Sequence, residues 1–193
     1  GVTIGSLVSS DDYDLAFESA PFTITKRNLI VSAVAKSKKY GATDPELTYG
    51  VSGDGLVNGD TLLGSLAHTS TGHVGRWVIE IGSLHSTDDY TIENFIPSNF
   101  NVLPRHLTIA AINHAKKYGE VDPSLDYTVG GDGLVNGDVL TGALAHNSSG
   151  HVGRYKISIG DLDVSADYIV DSFSEGQFDV TPRGLEISAV AKS

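Results

Sequence analysis

The chain has 193 residues, with 24 aspartates and glutamates against 13 lysines and arginines, which gives a formal net charge of -11. An acidic surface repels phosphate backbones and anionic lipid, so nucleic acid is not an expected partner, and the absence of cysteine excludes disulfides and thiolate metal sites. The length allows one large domain or two small ones, and no apolar run approaches the ~20 residues of a membrane span.

An internal repeat dominates the sequence. Residues 38–76 align without a gap with residues 116–154, and 28 of the 39 positions are identical. A period of this length indicates an array of domain-sized units. We therefore predict the end of a preceding repeat, or strands in shifted phase, at 1–27, two repeats at 28–105 and 106–183, and the first strand of a following repeat at 184–193.

The segments between the repeated turns are rich in β-branched residues and predict strands. In chain order they are "FTITKRNLIVSAVAK", "ELTYGV", "RWVIEIG", "DYTIENF", "FNVLPRHLTIAAI", "LDYTV", "RYKISIG" and "DYIVDSF". The glycine and proline of "YGATDP" and "YGEVDP" predict turns between them. The fold class expected is mainly β, as tandem small β-rich modules joined end to end.

One segment of each repeat, "GDTLLGSLAH" in the first, fits two kinds of structure. Leu62 and Leu66, like Leu140 and Leu144, satisfy both the period of a strand and the i, i+4 face of a helix. A short helix capped by the preceding aspartate is preferred, which favours a β-grasp-like module. If the segment is extended, an immunoglobulin-like β-sandwich is the better choice.

The octapeptide "GDGLVNGD" occurs at residues 53–60 and again at 131–138. Asp54, Asn58 and Asp60 offer oxygen ligands, but apolar residues fill the positions where a calcium loop needs further oxygens. The pattern of a phosphate-binding loop is also missing. The Asn58-Gly59 dipeptide instead predicts a tight turn with positive φ, which leaves Asp54 and Asp132 as surface acids.

Two histidines of each repeat flank a polar loop. His68 and His73 recur as His146 and His151. A zinc site generally needs three or four protein ligands, and no third ligand accompanies either pair locally. Solvated loop histidines are therefore expected, with no metal site. No nucleophile lies nearby in a strained turn, so the sequence predicts no catalytic residue and no cofactor-binding residue.

The aromatic residues of the repeat are interpreted as packing residues. Tyr40, beside the turn glycine Gly41, recurs as Tyr118 and is expected to cover the end of a small core rather than to stack on a ligand. Trp77 and Tyr155 alternate with isoleucines along a predicted strand and are expected to belong to the core.

The ordered set "KKYGATDPELTY", "GLVNGDTLLGSL", "GHVGRW" and "FTITKRNL" resembles the MBG-type repeats, the YG-containing modules of large bacterial surface adhesins and filamentous-haemagglutinin-like exoproteins. The resemblance covers nearly the whole chain. It implies a non-enzymatic, extracellular repeat without cofactors, acting as a rigid stalk or spacer in adhesion and biofilm formation. Neighbouring repeats of the same chain are the implied partners of a monomer, and a glycan- or protein-binding adhesive module is the alternative.

The connection between the two repeats has no linker composition. Only residues 103–106 separate the segment 100–102, at the end of one predicted repeat, from the segment 107–111, at the start of the next, and they include Pro104. Proline fixes its own φ and offers no backbone donor, so it suits a strand that passes from one sheet to another. We predict that one extended segment serves both modules and holds them end to end.

Overall fold

A computed structural model describes residues 1–190, which contain fourteen strands and no helix, and therefore no helix able to cross a membrane. The strands form two sets of seven with matching lengths. The first set is β1 (Arg27–Ala33), β2 (Lys36–Lys39), β3 (Tyr49–Gly53), β4 (Ala67–His68), β5 (Gly75–Glu80), β6 (Tyr90–Ile96) and β7 (Ser98–Leu103). The second set is β8 (Arg105–Ala111), β9 (His114–Lys117), β10 (Tyr127–Gly131), β11 (Ala145–His146), β12 (Gly153–Ser158), β13 (Tyr168–Ser174) and β14 (Gly176–Thr181).

Each set of strands forms one three-stranded and one four-stranded sheet. The orders are β3-β1-β6 and β2-β7-β5-β4 in the first set, and β10-β8-β13 and β11-β12-β14-β9 in the second. The first strand of each set pairs antiparallel with the third and parallel with the sixth, and the second strand pairs parallel with the seventh. The mainly β expectation is confirmed.

The chain divides into two compact units whose boundary does not follow the repeat. The first unit contains residues 1–34, 47–67 and 79–98, and the second contains residues 35–46, 68–78 and the described chain from residue 99 onward. Each unit has fully buried side chains, such as Leu29 and Val31 in the first and Leu107 and Phe178 in the second.

The core of the second unit lies between two sheets of one repeat. Ile157, Phe178 and Val180 of the four-stranded sheet are almost completely buried. Against them pack partly buried residues of the three-stranded sheet, including Ala111, Tyr127 and Phe173. Alternation explains the pattern, because residues i and i+2 of a strand face the same side of its sheet.

The expected short helix is wrong. Residues 60–68 are extended or in turns, and Gly64 has a φ of 82°, outside the range of a right-handed helix. Leu63 instead forms an isolated antiparallel β-bridge with His85. The Leu63 amide donates to the His85 carbonyl at 2.9 Å, and the His85 amide donates to the Leu63 carbonyl at 2.8 Å. Leu62 and Leu66 are both buried, although the backbone that carries them is not helical.

The strand pairing also differs from both proposed fold types. A β-grasp-like module would place a helix on its sheet, and residues 1–190 have none. The parallel pairs formed by β1 with β6 and by β8 with β13 depart from the antiparallel sheets of the immunoglobulin fold.

The long apolar segments are divided more finely than the sequence predicts. Residues 22–36 contain only β1 and the start of β2, which belong to different sheets. Residues 1–26 and 182–190 resemble strands of the repeats, yet they form no strand. The expected strand at 184–193 is therefore absent over 184–190, and its last three residues lie outside the described part of the chain.

Candidate functional site

The residues that the repeat preserves meet where β7 passes into β8, inside the second unit. We call this place the junction and define it by Lys39 to Gly41 and His73 to Val74 on one side. The other side is formed by Arg105, Asp132, Val135, Asp167 and Tyr168. Pro104 is the only residue between the two strands, so the connection has no flexible segment.

At Pro104 the chain passes from one sheet into another. β7 is parallel to β2 in a four-stranded sheet, and β8 is the central strand of a three-stranded sheet. The Tyr40 amide donates to the Leu103 carbonyl at 2.8 Å, and the Arg105 amide donates to the Asp167 carbonyl at 3.0 Å. Backbone hydrogen bonds therefore hold the chain directly before and directly after the proline.

The second copy of the octapeptide, residues 131–138, forms part of the junction as a tight turn. Asn136 and Gly137 both have positive φ, 59° and 80°, and the Asp138 amide donates to the Val135 carbonyl at 2.9 Å. This is the geometry of a tight hairpin-type turn, and Asn58 and Gly59 repeat it in the first unit. A side chain on Gly41 would collide with Val135, so the turn and the "YG" pair fit closely.

Charged groups close one side of the junction. The Lys39 Nζ lies 2.6 Å from an Asp132 carboxylate oxygen, and the His106 amide donates to the same carboxylate at 3.0 Å. Hydrogen bonding by the His106 backbone, followed by Lys39, lowers the pKa of Asp132. Arg105 donates to the carbonyl oxygens of Tyr40 and Gly133 at 3.3 and 3.0 Å and also contacts the carbonyl of Asp132. One arginine thus contacts both sides.

Aromatic rings fill the centre of the junction. The Tyr40 ring stacks on His73 with centroids 5.9 Å apart and meets Tyr168 edge-on at 5.5 Å. Asp167 accepts a hydrogen bond from the Val74 amide at 2.8 Å and lies 2.8 Å from the His73 Nδ1. Tyr40 and Asp167 are each only 7% exposed, so both are shielded from most of the solvent. The expectation that this tyrosine covers the end of a core holds for Tyr40, where the neighbouring repeat completes the cover, but not for Tyr118, which is 46% exposed.

A second repeated cluster explains the spacing of "KKYG", "DP" and "LAH". The Lys38 Nζ lies 2.6 Å from Asp44, and the His68 Nε2 lies 3.2 Å from the same carboxylate. Lys116, Asp122 and His146 repeat the arrangement. Hydrogen bonding to the lysine is the largest cause that lowers the pKa of each aspartate. The cluster pins the loop between the second and third strands of each repeat.

The expectation of solvated histidines is wrong for one member of each pair. The His68 ring stacks on Phe100 with centroids 4.1 Å apart, and the His146 ring stacks on Phe178 at the same distance. Each ring also accepts a hydrogen bond at Nδ1 from a backbone amide two residues on, at 3.2 Å. These histidines are packing groups. His73 is largely exposed, but it lies against Asp167.

Trp77 and Tyr155 lie half-buried on the core side of their strands, each ring covering a glycine two residues earlier. The Trp77 Nε1 donates to the His73 carbonyl at 3.1 Å, and the Tyr155 hydroxyl donates to the His151 carbonyl at 2.9 Å. Among residues 1–190 no three histidine, aspartate or glutamate side chains converge as metal ligands would.

Sequence reasoning missed the role of Asp167. Its counterpart in the first repeat, Asp89, is exposed, whereas Asp167 is buried against His73 and Val74. A sequence signal for this aspartate does exist. An Asp-Tyr pair begins at each of Asp12, Asp89 and Asp167, although these positions lie outside the 39 residues that align without a gap. Asp54 is likewise more than a surface acid, because it accepts a hydrogen bond from the Asn28 amide at 2.8 Å.

Stability is expected to fall in acid. The pKa values of Asp44, Asp122 and Asp132 are lowered in the folded chain, so the stabilisation is present above the ordinary aspartate pKa of about 3.9 and is lost as pH falls through the lower folded values. Urea unfolding at pH 5 and at pH 2.5 measures it. A double variant, Asp44→Asn with Asp122→Asn, is expected to show a shallower decrease, and equal midpoints at both pH values for the parent chain would contradict the account.

Trypsin is expected to distinguish two arginines in equivalent positions. Arg105 is the first residue of β8, directly after Pro104, and its side chain donates to carbonyl oxygens, whereas Arg183 follows Pro182 in a segment without strands. Several hydrogen bonds of about 1 kcal/mol each must open before trypsin can cleave after Arg105. We therefore expect this cleavage to be roughly 100-fold slower than cleavage after Arg183. Mass spectrometry of a time course gives both rates, and similar rates would show that the junction opens freely.

Comparison with known families identifies both repeats. A family model described as "MBG domain (YGX type)" matches residues 29–101 and 107–179, which is more than half of the chain. No curated protein and no solved structure matches the chain.

Proposed function

The chain belongs to the MBG domain (YGX type) family, and from this premise we propose that its two repeats are non-catalytic structural modules of an extracellular bacterial adhesin. Their role is to act as a stiff spacer that holds other parts of the parent protein apart. The family supports an adhesin-like, generally non-enzymatic repeat. The observation that carries the spacer role is the junction, in which β7 and β8 are separated by a single proline.

The chemistry of the repeated residues supports a structural role. Lys38 and Lys39 pair with aspartates, and Tyr40 packs between His73 and Tyr168. Residues repeated for ligand binding would instead be expected to present unpaired polar groups. The repeated groups of the junction are largely paired with one another. A spacer whose repeats must be held to their neighbours requires such pairing.

A glycan- or protein-binding module is the competing role, and it predicts an aromatic ring on a flat, open face. Trp77 and Tyr155 do not meet this description, because each lies half-buried over a glycine with its polar atom bonded to a backbone carbonyl. The geometry therefore favours the spacer.

Binding measurements separate the two roles. The intact chain, immobilised at high density, is tested against a glycan array and a panel of extracellular-matrix proteins. A spacer gives no saturable binding above that of a denatured control. Saturable binding that is lost on changing Trp77 or Tyr155 to alanine, in a chain that keeps its unfolding midpoint, would replace the spacer by the binding module.

A further inference from the structure

The first and last strands of the second repeat, β8 and β14, are both inner strands of their sheets. β8 lies between β10 and β13, and β14 lies between β12 and β9. Both strands also carry side chains that are almost completely buried, Leu107 and Ile109 on β8 and Phe178 and Val180 on β14. The chain enters and leaves this repeat through these two strands, so a pull along the chain acts on strands that are paired on both sides.

Each of these two strands has a parallel partner from the other end of the repeat. β8 pairs with the penultimate strand β13 over residues 105–110, with one bulge in β13, and β14 pairs over residues 178–181 with the second strand, β9. In a parallel ladder, the start of the earlier strand and the end of the later strand lie at opposite ends. Tension that separates the start of β8 from the end of β14 therefore slides the paired strands along each other and loads the hydrogen bonds of a ladder together.

Short connections spread this load over both sheets of the repeat. Only residues 112–113 lie between β8 and β9, and only Glu175 lies between β13 and β14. Each of the segments 105–117 and 168–181 therefore belongs to both sheets, and the two segments pair with each other in both. The Tyr118 amide continues the second ladder, because it donates to the Thr181 carbonyl at 2.8 Å. Neither sheet can extend under tension until its parallel ladder breaks.

The antiparallel pairs of the repeat respond differently to a pull. β12 and β14 are antiparallel, so the start of β12 and the end of β14 lie at the same end of their ladder, where Gly153 is paired with Val180. A pull between these two ends opens the ladder pair by pair, and only a few hydrogen bonds of about 1 kcal/mol each resist it at any moment. The force that the repeat withstands therefore depends on the direction of the pull.

We propose that the two parallel ladders, β8 with β13 and β9 with β14, form a mechanical clamp, which enables the repeat to carry tension along the chain. In the first repeat, β1 with β6 and β2 with β7 are parallel in the same way. The clamp is therefore a property of the repeat. That tension occurs rests on the proposed function, because an adhesin that holds a cell to a surface is pulled along its length. The resistance itself is a property of the fold and is measured without that premise.

Single-molecule force spectroscopy of the intact chain tests the proposal by changing the direction of the pull. The chain has no cysteine, so two cysteines introduced at exposed positions give unique attachment points. Leu103→Cys with Pro182→Cys pulls along the chain and slides the parallel ladders. Val152→Cys with Pro182→Cys pulls at the shared end of β12 and β14 and opens their antiparallel ladder.

At one pulling speed, the mean rupture force is expected to be at least about twofold higher along the chain, because several ladder hydrogen bonds must break together. A triple variant with all three cysteines is the matched control, since it compares both directions in a protein of one stability. The chain length released, about 270 Å along the chain and about 100 Å across the antiparallel pair, identifies the two cysteines that were held.

Equal forces in the two directions, or a lower force along the chain, would overturn the clamp. Neither result bears on the spacer role, because that role depends on the junction. A clamp that resists as expected in a chain whose junction is flexible would in turn leave the clamp standing and remove the spacer.

Discussion

Replacing Phe178 by alanine is expected to lower the free energy of unfolding of the second unit by about 3–5 kcal/mol. Phe178 is completely buried, and its ring stacks on His146 with the planes only 8° apart. The substitution removes this stack and leaves a cavity beside Ile157 and Val180 in a core that consists of few side chains. Urea unfolding followed by circular dichroism measures the loss.

Two further variants make this result interpretable. Phe178→Leu keeps much of the buried volume and is expected to recover part of the stability. Val121→Ala changes a side chain that is 91% exposed and is expected to alter stability by less than about 0.5 kcal/mol. An alanine variant at Phe178 that unfolds within about 1 kcal/mol of the parent would show that the two sheets do not depend on this core.

Replacing Asp167 by alanine is expected to loosen the junction. The buried carboxylate accepts a hydrogen bond of 2.8 Å from the Val74 amide. Its other oxygen lies 2.8 Å from the His73 Nδ1. Hydrogen bonds to a charged group contribute roughly 1.5–3 kcal/mol each, and the substitution also leaves the Val74 amide without this acceptor. We expect a loss of about 2–3 kcal/mol, together with faster hydrogen exchange at Val74 and Tyr40.

Asp89 provides the matched control for this substitution. It occupies the same position in the first repeat, but its side chain is exposed. Asp89→Ala is therefore expected to change stability by less than about 0.5 kcal/mol. Equal effects at Asp89 and Asp167 would mean that the aspartate stabilises its own repeat and contributes nothing to the junction.

The turns and strands could be predicted from sequence because their determinants are local. Asn58 and Asn136 are the two non-glycine residues with positive φ among the described residues, and each precedes a glycine, as the dipeptide pattern indicates. The helix prediction failed because leucines four residues apart satisfy two periods at once. Gly64 decides between them, because its φ is positive and a side chain added there would collide with the backbone of Ser83.

The junction could be predicted only in part. Pro104 indicated a strand passing between sheets, and this is observed. The roles of Asp167 and Lys39 were not predictable from one repeat, because identical residues in the other repeat have different surroundings. Their environment is set by contacts between groups far apart in sequence, such as Lys39 with Asp132, and composition carries no information about such pairs.

The central claim is that consecutive repeats are held by the junction without a flexible linker, and a distance measurement across the junction tests it most directly. The chain has no cysteine, so Ser37→Cys and Val139→Cys introduce unique sites for spin labels at two exposed positions of the second unit, one in each repeat. Double electron–electron resonance is expected to give one narrow distance distribution, which broadens when Asp167→Ala is added. A broad distribution in the chain that keeps Asp167 would contradict the account.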